Sequence, residues 1–193
     1  IENSGFDLEE FKKIAKKFPQ KKIEIISSNL NNSYPKKLGK GFGEYLCMKE
    51  VFKKSKIINR TDFFVKVSGR YYIKNFKEII KCCKNFKDIN LYLKDNLRYA
   101  DSHLMIGSKS FFLNYVLKET IKTNDSKGVF FEHCVARATL KAVSDGLSFN
   151  HLSVYPKIHG IIGTNNKRIE SNFFKDTKLF FFENLKSYFF SSK

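Results

Sequence analysis

The chain has 193 residues, enough for one domain with a sizeable core, and 42% of them are hydrophobic. Lys and Arg outnumber Asp and Glu by 36 to 19, a formal charge of +17 that speaks to partners and solubility rather than to fold. No apolar run approaches the about 20 residues that span a bilayer. The cysteines Cys47, Cys82, Cys83 and Cys134 form no Cys-x-x-Cys pair, so they read as free thiols of a reducing compartment rather than a disulfide framework.

In chain order, Asp7 with Glu10 makes a capping-box-like start, and Phe11, Ile14, Ala15 and Phe18 recur at helical spacing, predicting an amphipathic helix over 8–18. The alternation in 22–27 (KIEIIS) predicts a strand, and 28–37 a polar loop. A helix is expected over 43–55, a strand over 62–68 (DFFVKVS), a helix over 76–83 and a strand over 89–93. A short strand over 103–106 leads into a helix over 108–122 with Ser108 at its start. A turn at 124–128, a helix over 130–144 ended by Asp145-Gly146, and a strand over 152–155 follow. The Phe- and Lys-rich segment 170–193 reads as an amphipathic helical tail that either packs on the core or lies at a membrane interface. Strands separated by helices predict an α/β fold with a mainly parallel sheet flanked by helices, in one domain over 1–193.

Five segments carry residues suited to chemistry. In Gly39-Lys40-Gly41-Phe42-Gly43-Glu44 the glycines would let backbone N–H groups approach an anion ahead of a helix, with Lys40 adding a charge; a plain flexible loop fits equally well. In the second, Lys66 lies on a strand that runs into Ser68-Gly69-Arg70-Tyr71. Ligands of parallel α/β sheets bind at such carboxyl ends, Arg70 can grip a phosphate, and Tyr71 or Tyr72 can stack on a base or sugar. Asp101 and His103 before a strand suit a metal or a sugar hydroxyl, or Asp101 simply caps a turn. Glu132, flanked by Phe131 and followed by His133, would suit a general base if buried; a Glu favoured by the helix dipole is the plainer reading. His159-Gly160, with Gly163 and Thr164, could contact a diphosphate or form a turn without chemistry.

The order of GKGFGE, FFVKVSGRYYI, ADSHLMIGSKSFF, FFEH and HGIIGTNNK resembles small bacterial proteins of surface-polysaccharide (lipopolysaccharide and capsule) biosynthesis that look like GT-A-type glycosyltransferases, over about residues 1–168. The resemblance implies a nucleotide-diphospho-sugar transferase architecture and transfer of a sugar from a nucleotide-sugar to a hydroxyl of a lipid-linked or surface-glycan acceptor. Glu132 and Asp101 would be catalytic. Gly39, Lys40, Gly41, Gly43, Glu44, Lys66, Ser68, Gly69, Arg70, Tyr71, His133, His159, Gly160, Gly163 and Thr164 would bind substrate. It implies Mn2+ or Mg2+ on the diphosphate and no organic cofactor, although the chain lacks the Asp-x-Asp motif usual for that ion. The amino-terminal strand that holds the nucleobase in such proteins is expected to be truncated here. The location implied is cytoplasmic, peripheral on an anionic membrane surface. The alternative is a basic nucleic-acid-binding protein, supported by charge but opposed by the spread of the lysines and by the lack of a helix-turn-helix, zinc-finger or RNP motif.

Overall fold

Strand β1 (Phe63–Val67) alternates between a half-buried face, Phe64 and Lys66, and an exposed one, Phe63, Val65 and Val67. Its neighbour β6 (Leu104–Ser108) is buried at every position and runs antiparallel to it. Strand β3 (Ile89–Leu91) is also wholly buried; it pairs antiparallel with β6 and parallel with β7 (Phe149–His151). The four-stranded order is therefore β1-β6-β3-β7. A smaller antiparallel sheet joins β2 (Tyr71–Ile73), β8 (Ile158–Ile161) and β9 (Arg168–Ile169), and a ribbon joins β4 (Leu93–Lys94) to β5 (Tyr99–Ala100). The computed structural model describes residues 1–2, 7–69, 71–83, 88–152, 154–161 and 168–169.

The class is α/β, as the sequence predicts, but the sheet is mixed rather than mainly parallel. The reason lies between β3 and β6. A parallel crossover needs a helix or a comparable excursion, and this connection holds only the β4–β5 ribbon. Asp95, Asn96 and Leu97 all take left-handed backbone there and turn the chain back on itself. The parallel β3–β7 pair does enclose helices, in keeping with the crossover rule.

Helices cover both faces. On one lie α2 (Gly39–Lys54), a helical run over 109–120 and α6 (Phe131–Ser144). The run comprises α4 (Lys109–Phe111), a π-helical turn (Phe112–Val116) and α5 (Leu117–Thr120), and the Ser108 hydroxyl caps it by accepting from the Phe111 N–H at 3.2 Å. Phe111, Phe112 and Phe131 are fully buried on this side with Ile89, Leu91 and Met105. Each such side chain contributes roughly 1.5–3 kcal/mol of burial. On the other face α3 (Phe76–Cys82) sets Ile79 against Ile73, Leu104, Ile106 and Leu152.

Helix α1 (Glu9–Lys16) forms where the apolar spacing predicts it. The strand expected over 22–27 is absent as a ladder: it makes one parallel bridge, Ser27 with Glu2, and Ile23 stays exposed. The strand expected over 152–155 lies earlier, at β7, where the ladder partner Ile89–Leu91 sets the register. The amphipathic tail at 170–193 lies outside the described residues.

Candidate functional site

The half-buried face of β1 reads Phe64, Lys66 and then Ser68, so it turns from apolar to polar as the strand leaves the core. The Lys66 ammonium meets three oxygens. It ion-pairs with Glu44 of α2, and it donates to Ser68 Oγ at 3.0 Å and to the Ser102 carbonyl at 2.5 Å. It also stands over the Phe131 ring, 5.7 Å from its centre. Ser68 itself lies 3.4 Å from both Glu44 and the Ser102 carbonyl.

Ser102 belongs to the link Asp101-Ser102-His103 that feeds β6. Its hydroxyl donates to Glu132 Oε1 at 2.9 Å, which joins the first turn of α6 to the same cluster. Asp101 and Ser102 are buried. One Asp101 oxygen accepts the His103 backbone N–H at 3.0 Å and also contacts His103 Nδ1. A carboxylate on Nδ1 holds the ring in one orientation and leaves Nε2 as the available nitrogen. The His103 ring, one-third exposed, packs edge-on against Tyr71 at 4.5 Å. Burial by itself would raise the Asp101 pKa, but the hydrogen bonds and charge of His103 outweigh it, and the net direction is downward. Tyr99 has its phenol pKa pushed upward, first by burial and then by the charges of Glu132 and Asp101. It stays protonated and packs against His133 with ring centres 5.7 Å apart.

Glu44, Lys66, Ser68, Tyr71, Asp101, Glu132 and His133 thus surround one polar junction, where β1 and α6 meet the entry to β6. Glu132 is half-buried beside the Ser102 hydroxyl rather than sealed among phenylalanines. Gly160 pairs with Tyr71 across β2–β8, which carries β8 to the rim of the junction. His159 pairs instead with exposed Tyr72, and alternation along the strand places it on the opposite face from Tyr71. Gly69 is exposed just past β1; Arg70, Gly163 and Thr164 lie outside the described residues.

In this fold the glycine segment is a packed helix start rather than an open loop. Residues 39–43 are the opening turns of α2, and the glycines serve close packing. A Cβ on Gly41 would sit 2.8 Å from Phe131 Cβ and 2.9 Å from Thr123 Cγ2, and one on Gly43 would sit 2.5 Å from the Tyr34 hydroxyl. Gly39 has φ +83° and no room beside the Asp125 carboxylate. Asp125 accepts the Lys40 backbone N–H, so a carboxylate of the chain itself already occupies the positive end of this helix. The sequence signal for an anion loop and the signal for a tightly packed helix start are the same glycines.

Sequence reasoning assigned no role to one member of the cluster, Ser102. Its plain character masked it, whereas His103 was legible beside Asp101 as a polar pair before a strand. Only the fold brings Ser102 to Glu132 and Tyr71 to His103. Among the described residues no three His, Cys, Asp or Glu side chains gather closely enough to hold a metal ion. Comparison with protein-family models, with curated proteins and with solved structures returns no match.

Proposed function

We propose that the chain is a glycosyltransferase that passes a sugar from a nucleotide-sugar to a hydroxyl of a lipid-linked or surface-glycan acceptor in bacterial polysaccharide synthesis. The observation that carries this reading is the junction at the carboxyl end of β1. There a carboxylate (Glu132) and a cation (Lys66) share Ser102 in one hydrogen-bonded cluster, and the residues on either side of Ser102 form a carboxylate-oriented imidazole (Asp101 with His103). Its resemblance to GT-A-type sequences supplies the substrate class.

In this reading Glu132 takes the proton of the acceptor hydroxyl. The freed oxygen attacks the anomeric carbon, the bond from that carbon to the diphosphate oxygen breaks, and the nucleoside diphosphate leaves with the electron pair. Ser102 fixes the Glu132 carboxylate by its hydrogen bond. Lys66 supplies positive charge toward the departing diphosphate, where stabilisation of developing negative charge has its largest effect. Asp101 acts by positioning: it aims His103 and, behind it, the Tyr71 ring, which offers a stacking surface for a sugar or base. No step here runs through Mn2+ or Mg2+; the cation is a variable of the experiment.

The test is a thermal-shift screen of nucleotide-sugars, with and without Mn2+ or Mg2+, followed by transfer assays on the hit. A nucleotide-sugar is expected to raise the melting temperature. Glu132→Gln is expected to lower turnover at least about a hundredfold, the usual scale of a general base, while sparing donor binding. Unchanged turnover in Glu132→Gln removes that residue from catalysis. Steeply salt-dependent binding to arbitrary DNA, with no response to any nucleotide-sugar, replaces the enzyme reading with nucleic-acid binding.

A further inference from the structure

Helix α1 carries an apolar face that the described chain does not cover. Phe11, Ile14 and Phe18 fall on one side at helical spacing and are 48%, 52% and 41% exposed, and no residue of the helix is buried. The turn that ends the helix extends this face, because the Phe18 N–H donates to the Ala15 carbonyl at 3.1 Å. Side chains of this size normally turn inward. The first turn is acidic, with Glu9 and Glu10, and Glu9 ion-pairs with Lys12 at 2.7 Å; beyond that turn the polar side is basic. Lys12, Lys13, Lys16 and Lys17 are all exposed, and Lys21 and Lys22 follow at once. Lys12 borders the apolar face on one side and Lys17, with Glu10 beside it, on the other, where long side chains can reach outward while their stems lie along it.

We infer that α1 is a membrane-docking helix that lies in the interface of a bilayer rich in acidic phospholipids, with Phe11, Ile14 and Phe18 among the acyl chains and the lysines at the headgroups. Charge complementarity decides among occupants. A nucleic acid would answer the lysines and leave the phenylalanines in water. A second copy of the helix would cover the phenylalanines and bring two rows of lysines together. An anionic bilayer is apolar in depth and negative at its surface, so it satisfies both halves at once. The net charge of +17 acts in the same direction over the whole molecule. The inference holds whether or not the chain transfers a sugar.

The chain has no tryptophan, so Phe11→Trp places a single reporter on the face. Its emission is expected to shift to the blue with phosphatidylglycerol-rich vesicles and to stay unchanged with phosphatidylcholine alone. Phe11→Ser/Ile14→Ser is expected to melt like the unaltered chain and to lose vesicle binding by more than tenfold. Lys12→Gln/Lys17→Gln is expected to weaken binding by roughly tenfold or more, from two interfacial charges. Three results would each overturn the inference. One is equal binding by the serine variant, or no vesicle binding at all. Another is a large loss of melting temperature in the serine variant, since the face then packs on the chain itself. The third is a concentration-dependent dimer that the serine substitutions abolish.

Discussion

Lys66 shares its charge among Glu44, Ser68 and the Ser102 carbonyl, so a diphosphate at the junction must compete with Glu44 for it. Glu44→Gln is therefore expected to tighten nucleotide-sugar binding a few-fold, whereas Lys66→Met weakens it; titration of the two variants by calorimetry separates these signs. Asp101 makes a pH prediction. Its folded pKa lies below the ordinary value of about 3.9. The stability it contributes is present above that value and is lost as pH falls through the depressed folded pKa. Asp101→Asn is expected to flatten the acid limb of a melting-temperature profile below about pH 4 and to leave its neutral shape alone. Gly41→Ala must push a methyl into Phe131 and Thr123, and overpacking of this kind costs about 1–3 kcal/mol in a denaturant titration. Cys82 is exposed while Cys83 and Cys134 are buried, with burial raising the Cys83 thiol pKa. Iodoacetamide is expected to label Cys82 first and the buried pair only on unfolding, read by mass spectrometry.

At the scale of elements, Glu119 is the clamp between the helical run and α6. It is buried, and it takes Lys122 at 2.9 Å, Lys141, and Arg137 at 3.7 Å. Burial opposes its ionisation, but the lysine contacts prevail and its pKa falls. The three cations are themselves about half exposed and would rehydrate if released. Glu119→Gln is therefore expected to cost only about 1–2 kcal/mol, short of the cost of stranding a fully buried ion pair. The elements also show what the sequence makes legible. Helix 131–144 was readable because its apolar residues repeat at helical spacing over several turns and Asp145-Gly146 ends it. Residues 22–27 alternate as a strand should, but alternation only offers two faces. A ladder needs a partner, and the described chain provides one bridge at Ser27. Residues 39–43 misled in the other direction: three glycines argue against a helix by propensity, yet contacts with Tyr34, Thr123 and Phe131 admit no larger residue there.

Across the whole molecule, the alternation of strand and helix signals made the α/β class legible, and the order of strands was not. Order depends on which segments meet at long range, and the β4–β5 ribbon reverses the chain with Asp95, Asn96 and Leu97, residues whose left-handed backbone no periodicity announces. The same holds for the junction. Glu132, Ser102 and Lys66 stand far apart in the chain, and each has an ordinary role when taken singly. No helix among the described residues is long and apolar enough to cross a membrane.

Strand β3 is wholly buried and is flanked by β6 on one side and β7 on the other. The ribosome makes β6 soon after β3 but makes β7 only after the helical run and α6. During that interval β3 presents a bare apolar edge to its surroundings, the kind of edge on which nascent chains associate. A chain stopped after Ser144 is therefore expected to accumulate as aggregate, and one extended through Leu152 to gain solubility sharply, in a series of stalled or truncated products separated by centrifugation.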